Sequence, residues 1–359
     1  MTAPLHPDTL AVHADGDVEP APDVAPPIHV ATTFEADNPE GLVYARMRQP
    51  TRSRLEAVLG ALEGGEAVVY ASGQAATTAA LTHLRPRRVV LERGGYHGTH
   101  LAVDGLRPFG VEKVPLDTPL QRGDLVWLET PKNPTCALQD VARWAARTRE
   151  AGATLVVDST FATPVLQRPL DLSADLVMHS ASKFLSGHSD ALAGVLVARD
   201  PAVAAALREA RVVAGSVAGA LETWLVLRGV RTLGVRVRRQ TETAVRLAAW
   251  LEGRVPRVWH LSLPSHPDHA LAARQMRGPG PILSVELASE EAARLLPRKL
   301  RLFRDATSLG GVESLVEWRL KHDHEAPPTL LRLSAGLEEP DDLIADLERG
   351  LAEVAADVA

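Results

Sequence analysis

A chain of 359 residues is long enough for two domains. Its 45% apolar and 23% charged residues are the balance of an ordinary soluble globular protein. A formal net charge of −6 argues against a nucleic-acid surface as its main business, and no run approaches the ~18 apolar residues that span a bilayer.

Residues 1–50 read as an extended N-terminal arm, because Pro20, Pro22, Pro26 and Pro27 oppose helix. The opening MTAPLHPDTLAVHADGD lacks the basic, apolar, small-residue order of a signal peptide. From Thr51 the pattern becomes α/β. RSRLEAVLGALEGG predicts a helix ending at Gly64–Gly65, EAVVYAS a buried strand, and GQAATTAALTHL the next helix. RRVVLER, LVWLET, TLVVDS, DLVMHSAS and AGVLVA are further short apolar strands, with the helical QDVARWAARTREAG between two of them. This alternation predicts an α/β large domain over 51–218, with a mostly parallel sheet covered on both faces. Residues 219–252 predict a connecting helix. In it Arg236, Arg238 and Arg239 form a solvated or salt-bridged face. Residues 253–359 predict a smaller α+β domain, with strands at VWHLSL, PILSVEL, KLRLFRDA and LLRLSAG and helices near 289–297 and 340–357. Cys136 is the only cysteine, which excludes an intrachain disulfide and a cysteine-built metal site. It reads as a buried small hydrophobe in a reducing, cytoplasmic setting. No metal site is expected.

The residues with chemistry concentrate between Leu155 and Asp190. Asp158 ends one apolar strand, and Lys183 follows another 25 residues on, among Ser180, Ser182, Ser186 and Gly187. Pyridoxal 5′-phosphate (PLP) needs a lysine for its Schiff base, a carboxylate beside the pyridine nitrogen and hydroxyls near the phosphate. This one segment offers all three. An acid at a strand end also serves as a helix cap or ion-pair partner, and a strand-end lysine can reach water. Ser180 and Ser182 alternate with Ala181, so in a strand both hydroxyls share a face, for a phosphate or for solvent. Ser72, Gly73 and Gln74 lie where a strand turns into a helix, whose free N–H groups suit an anion.

LVMHSASKFLSGHSDALAG resembles the PLP attachment motif of the Cys/Met-metabolism (transsulfuration) enzymes, a fold-type-I PLP family. YARMRQPT, YASGQAA, YHGTH, ETPKNPT, VDSTFATP, HPDHALAARQMRG, SLGGVESL and RLSAGLE match it in order along nearly the whole chain. The resemblance implies a PLP cofactor on Lys183, with Asp158 at the pyridine nitrogen. Gly73, Gln74, Ser180 and Ser182 would contact the phosphate. Tyr96 would stack on the ring and serve in proton transfer. Tyr44 and Arg46 would reach the phosphate of a neighbouring subunit, in a homo-oligomer with shared sites, dimer or tetramer. Arg332 would grip the substrate α-carboxylate, and Asn133 and Ser308 would line the substrate pocket or position the lysine.

Several positions depart from the family pattern. Gln49, Gln74, Ser159 and Phe184 replace a usual Asn, Met, Asn and Tyr, and the stretches Leu116–Asp124 and Glu317–Leu330 look shortened. Thr307 stands where γ-synthases and several γ-lyases carry Glu. Gly98 follows the cystathionine enzymes rather than the cysteine of methionine γ-lyases. The resemblance implies a C–S lyase that converts L-cystathionine to cysteine, 2-oxobutyrate and ammonia. The alternatives are γ-replacement on an O-acylhomoserine and, more remotely, a non-catalytic PLP-binding scaffold.

Overall fold

The computed structural model describes residues 5–18 and 22–358. The arm is not extended throughout. Helix α1 (Pro7–His13) forms because Pro7 sits in its first turn, where a missing N–H costs nothing, and the His6 ring accepts from the Asp8 N–H. Pro22, Pro26 and Pro27 lie in non-helical chain, and Pro20 lies outside the described residues. A bridge between Thr33 and Tyr44, the Asn38 side chain bonded to the Leu42 backbone, and the His29 N–H on the Thr51 hydroxyl hold much of the rest of the arm. Helix α2 (Pro50–Glu63) opens on Gln49, whose side chain accepts from the Arg52 N–H at 2.8 Å, and closes on left-handed Gly64 at φ 82°.

The large unit then runs β1 (Glu66–Tyr70), α3 (Gly73–Leu84), β2 (Arg88–Leu91), α4 (His97–Asp104), β3 (Glu112–Pro115), β4 (Leu125–Glu129) and α5 (Val141–Ala151). It continues with β5 (Thr154–Asp158), α6 (Thr163–Leu166), β6 (Leu176–Ser180), β7 (Gly194–Ala198) and α7 (Pro201–Ala214). Its seven-stranded sheet has the order β1-β7-β6-β5-β4-β2-β3. Only β7 runs antiparallel to its neighbours. Leu55, Val58 and Val226 cover one face and Ala76, Ala80 and Leu207 the other, so the central strands are apolar on both sides. Edge strand β3 (EKVP) is half exposed and carries too little apolar signal to be read from the sequence.

The predicted single connecting helix is two, α8 (Ala220–Val230) and α9 (Leu233–Leu251). The break follows Gly229, which packs directly on the loop after Lys183. A Cβ at Gly229 would meet the Ser186 carbonyl at 2.1 Å. The arginine face also needs correcting. Arg238 and Arg239 pair with Asp8 and Glu339, each at 2.8 Å, but Arg236 is buried. Its guanidinium donates to the Phe184 carbonyl at 2.9 Å and the Gly229 carbonyl at 2.7 Å.

The smaller unit comprises β8 (Arg257–Trp259), α10 (His269–Gln275), β9 (Ile282–Glu286), α11 (Glu290–Lys299), β10 (Arg304–Asp305), β11 (Leu315–Trp318), β12 (Leu330–Ser334) and α12 (Pro340–Val358). Its five strands are ordered β10-β11-β12-β9-β8. KLRLFRDA yields only two strand residues, because the Asp346 carboxylate takes the N–H of Arg301 at 3.0 Å and of Leu302 at 2.8 Å. Helices α11, α12 and the end of α9 close this sheet's core. Among the described residues, no helix is long and apolar enough to cross a membrane.

Candidate active site

Parallel strands expose their carboxyl ends on one edge, where α/β proteins bind ligands. A cavity of about 280 Å³ opens there and is closed from the other side by the smaller unit. Ser72, Gly73, Gln74, Tyr96, Asn133, Asp158, Ser180, Ser182, Lys183, Ser308 and Arg332 all line it.

At the β1–α3 turn, Ser72 is the helix cap, its hydroxyl accepting from the Ala75 N–H at 3.0 Å. The N–H groups of Gly73 and Gln74 begin the helix without an acceptor among the described residues. A Cβ on Gly73 would meet the Ser180 side chain at 3.0 Å, so glycine leaves a cradle between this helix start and β6. The Ser182 expectation needs correcting. Strand β6 stops at Ser180, and Ser182 sits in the following turn, with its hydroxyl tied to the Ala193 backbone at 3.2 and 3.0 Å. It borders the cavity without sharing a strand face with Ser180.

Asp158 ends β5 and is buried. Its Oδ1 accepts from the Thr160 N–H at 3.0 Å and hydroxyl at 2.6 Å, and no described residue donates to Oδ2. The β4–β5 register sets Glu129 directly beside it. Burial pushes both carboxyls upward, and the Asp158 charge raises Glu129 further. A buried Asp158 and a half-buried Glu129 facing a cavity call for a cation.

Lys183 donates to the Ser308 hydroxyl at 2.6 Å. Burial, then the nearby Arg332 charge, lowers its amine to about 8. Ser308 sits at φ 86°, a strained conformation for a residue with a side chain, as expected where function dictates geometry. Gly310, at φ 82°, lets this loop lie against the Phe184 N–H, 2.7 Å from where a Cβ would be. Arg332 lies on β12 opposite Glu317 on β11 and is buried. It pairs with Glu317 and donates to Asn133 Oδ1 at 2.9 Å and to the Ser308 carbonyl at 2.7 Å.

Tyr96 is 41% exposed at the cavity wall. Burial of its ring and the Asp158 and Glu129 carboxylates raise its hydroxyl. Tyr44 and Arg46 stand outside their own chain's cavity. Arg46 donates to the Val212 carbonyl at 3.0 Å, and Tyr44 is exposed. Charged cavity residues that the sequence reading did not single out include Glu129, Arg319 and His322. Glu129 accepts from the N–H of Tyr96 at 2.6 Å and of Asn133 at 2.8 Å, coupling both loops to β4. Its place at the end of an apolar run, opening ETPKNPT, was the available signal. Arg319 and His322 lie in the shortened stretch, where no motif pointed to them. Among the described residues, no group of three acidic, histidine or cysteine side chains could hold a metal.

The donor set fits PLP. Lys183 would carry the aldehyde, Asp158 Oδ2 would meet the ring nitrogen, and the cradle of Gly73, Gln74 and Ser180 would take the phosphate. A model of the Cys/Met metabolism PLP-dependent enzyme family matches residues 8–352. Cystathionine gamma-synthase of Mycobacterium tuberculosis is 40% identical over 376 residues, covering 96% of this chain and 96% of the relative. Cystathionine beta-lyase of Coxiella burnetii is 37% identical over 379 residues, covering 96% and 98%. The crystal structure described as the cystathionine gamma lyase CalE6 of Micromonospora echinospora superposes with a TM-score of 0.92 at 40% identity, covering 97% of this chain and 99% of that one. With that cavity, and with matches over nearly its whole length, the chain belongs to the PLP-dependent Cys/Met metabolism family of transsulfuration enzymes.

Proposed function

We propose that the chain is a carbon–sulfur lyase that cleaves L-cystathionine by γ-elimination to cysteine, 2-oxobutyrate and ammonia. The observation that carries the proposal is the Lys183 amine, lowered to about 8 and 2.6 Å from Ser308. It shares one cavity with the Arg332 fork. When bound, PLP supplies a sink for the electrons left behind as bonds at the substrate Cα break. The protein does the rest. Arg332 and Asn133 hold the α-carboxylate in a planar, two-donor geometry. Lys183, half neutral near pH 8, removes the Cα proton and, only after releasing that proton, takes one at Cβ. Asp158 keeps the pyridine nitrogen protonated. Tyr96 or Lys183 hands a proton to the leaving thiolate. Gly98 suits this assignment, because a Cβ there would meet the Tyr96 ring at 2.5 Å and push it from the cavity wall.

A second reading is γ-replacement on an O-acylhomoserine, supported by the gamma-synthase name of a relative at 40% identity. The two share every early step and differ in whether water or a thiol captures the intermediate. The test is a substrate panel: cystathionine alone, then O-acylhomoserine with cysteine or sulfide. The lyase assignment expects 2-oxobutyrate from cystathionine. Its release only from the ester overturns that assignment.

The proposal includes a shared site. Tyr44 and Arg46 face away from their own cavity and carry the chemistry of a phosphate contact, so they serve the cavity of a second subunit.

A further inference from the structure

Two buried arginines in the cavity wall share one carboxylate. Oε2 of Glu317 pairs with Arg332 and also with Arg319 Nη1 at 3.0 Å. Arg319 begins the short 3₁₀ turn after β11, in the stretch where the chain departs from the family pattern. Its remaining anionic contact is Asp323 at 3.6 Å, beyond hydrogen-bonding distance and closer to solvent. The three deeply buried groups therefore sum to one positive charge: two guanidiniums against one carboxylate. Were Glu317 to face Arg332 alone, that pair would be neutral, and an incoming carboxylate would find no surplus positive charge at its own arginine.

We propose that Arg319 is a positioning residue for substrate carboxylate binding. By drawing on Glu317 it leaves Arg332 with the surplus charge that takes the α-carboxylate. Unpartnered polar atoms support this. Glu317 Oε1 and Arg319 Nε are both buried without a hydrogen-bond partner, so the trio is held at Oε2 and is not fully satisfied within itself. Arg332 is already fixed by Asn133 and by the Ser308 carbonyl, so Arg319 is not needed to orient it. What Arg319 contributes is charge. The inference rests on Arg332 as the carboxylate site and on no choice between elimination and replacement.

The experiment uses the PLP-loaded protein and reads the cofactor absorbance band during titration. The probes are L-norleucine, which has an α-carboxylate and no leaving group, and L-norleucinamide, which lacks the charge. Arg319→Leu is expected to raise the Kd for norleucine roughly tenfold, the scale of losing one nearby unit charge in a partly screened site. The Kd for the amide should stay within about twofold. Adding Glu317→Gln to Arg319→Leu should restore norleucine binding. Glu317→Gln alone keeps the side chain's shape and both arginines, and should tighten norleucine binding about threefold or more. It gives a reading even if Arg319→Leu does not fold. Equal weakening of acid and amide, a norleucine Kd unchanged in Arg319→Leu, or no tightening in Glu317→Gln would each overturn the proposal. A wild-type protein that binds the amide as tightly as the acid overturns it too. None of these results depends on which substrate the panel above selects.

Discussion

Lys183 shows how a single side chain acquires its chemistry from its surroundings. Its amine is ordinary at 10.5 and falls to about 8 in the fold, because burial and Arg332 both disfavour the charged form. Lys183→Ala should remove the visible cofactor band and lower turnover at least about a thousandfold, since base and covalent anchor go together. A retained band at full intensity would contradict the anchoring role. The lowered amine also has a consequence for stability in the cofactor-free protein. Unfolded, Lys183 keeps its proton to about pH 10.5; folded, only to about 8. Between those values the unfolded chain binds more protons, so this residue makes stability rise with pH. The total gain is about 3 kcal/mol, since each tenfold drop in proton affinity corresponds to ~1.36 kcal/mol. Urea unfolding of wild type and Lys183→Met at about pH 7.5 and about pH 10.5 isolates it. Wild type should gain that amount of stability relative to Lys183→Met at the higher pH, and an identical difference at both pH values would refute it. Cys136 behaves oppositely: burial pushes its thiol up to about 12, which leaves a small apolar group and no nucleophile.

Elements supply what single residues cannot. The parallel register of β4 and β5 sets Glu129 beside Asp158, and Glu129 in turn holds the Tyr96 and Asn133 backbones. Glu129→Gln replaces one of those two acceptors with a donor. Catalytic efficiency should drop about tenfold or more, the cost of one lost N–H acceptor and a displaced contact residue. A variant with wild-type kinetics would show that this tie is dispensable. The α8–α9 break works in a similar way. Gly229 lets α8 touch the Ser186 carbonyl, and Arg236 on α9 caps the Phe184 and Gly229 carbonyls. Arg236→Met should destabilise the protein by about 3 kcal/mol, because buried carbonyls lose charged donors. It should also weaken PLP retention, because Phe184 adjoins Lys183, the proposed anchor. Equilibrium unfolding and cofactor release measure the two effects separately, and a stability change below about 1 kcal/mol would argue against the clamp.

At the scale of the molecule, the cavity exists only where two units meet. The seven-stranded sheet brings Asp158, Lys183 and the cradle of Gly73, Gln74 and Ser180, and the five-stranded sheet brings Arg332 with its partner Glu317. The proposed sharing of the site between subunits belongs to this scale as well. Tyr44→Phe and Lys183→Ala chains, each impaired alone, should regain activity when mixed and allowed to exchange, because a hybrid contains one site with both intact residues. Failure of mixed oligomers to recover would place Tyr44 outside any neighbour's site.

Much of this was determined by the sequence alone. Runs such as LVV within TLVVDS, and AGVLVA, are short, unbroken and rich in β-branched residues, the pattern of buried strands. Pro50, Gly64 and Gly152 punctuate helices through backbone geometry that needs no partner. Lys183, Asp158 and the glycine turn at 73 were legible because their chemistry is local and their motifs contiguous. Tertiary structure alone decided the rest. Edge strand β3 is too polar to read, Arg236 looked like a surface residue until α9 packed on the lysine loop, and Ser182 left the strand for a turn held by Ala193. Glu129, Arg319 and His322 join the site only because sheet register and the packing of two units bring together residues far apart in the chain. Local patterns carry propensity and periodicity, but which charges face one another is set by contacts formed only when the chain has folded.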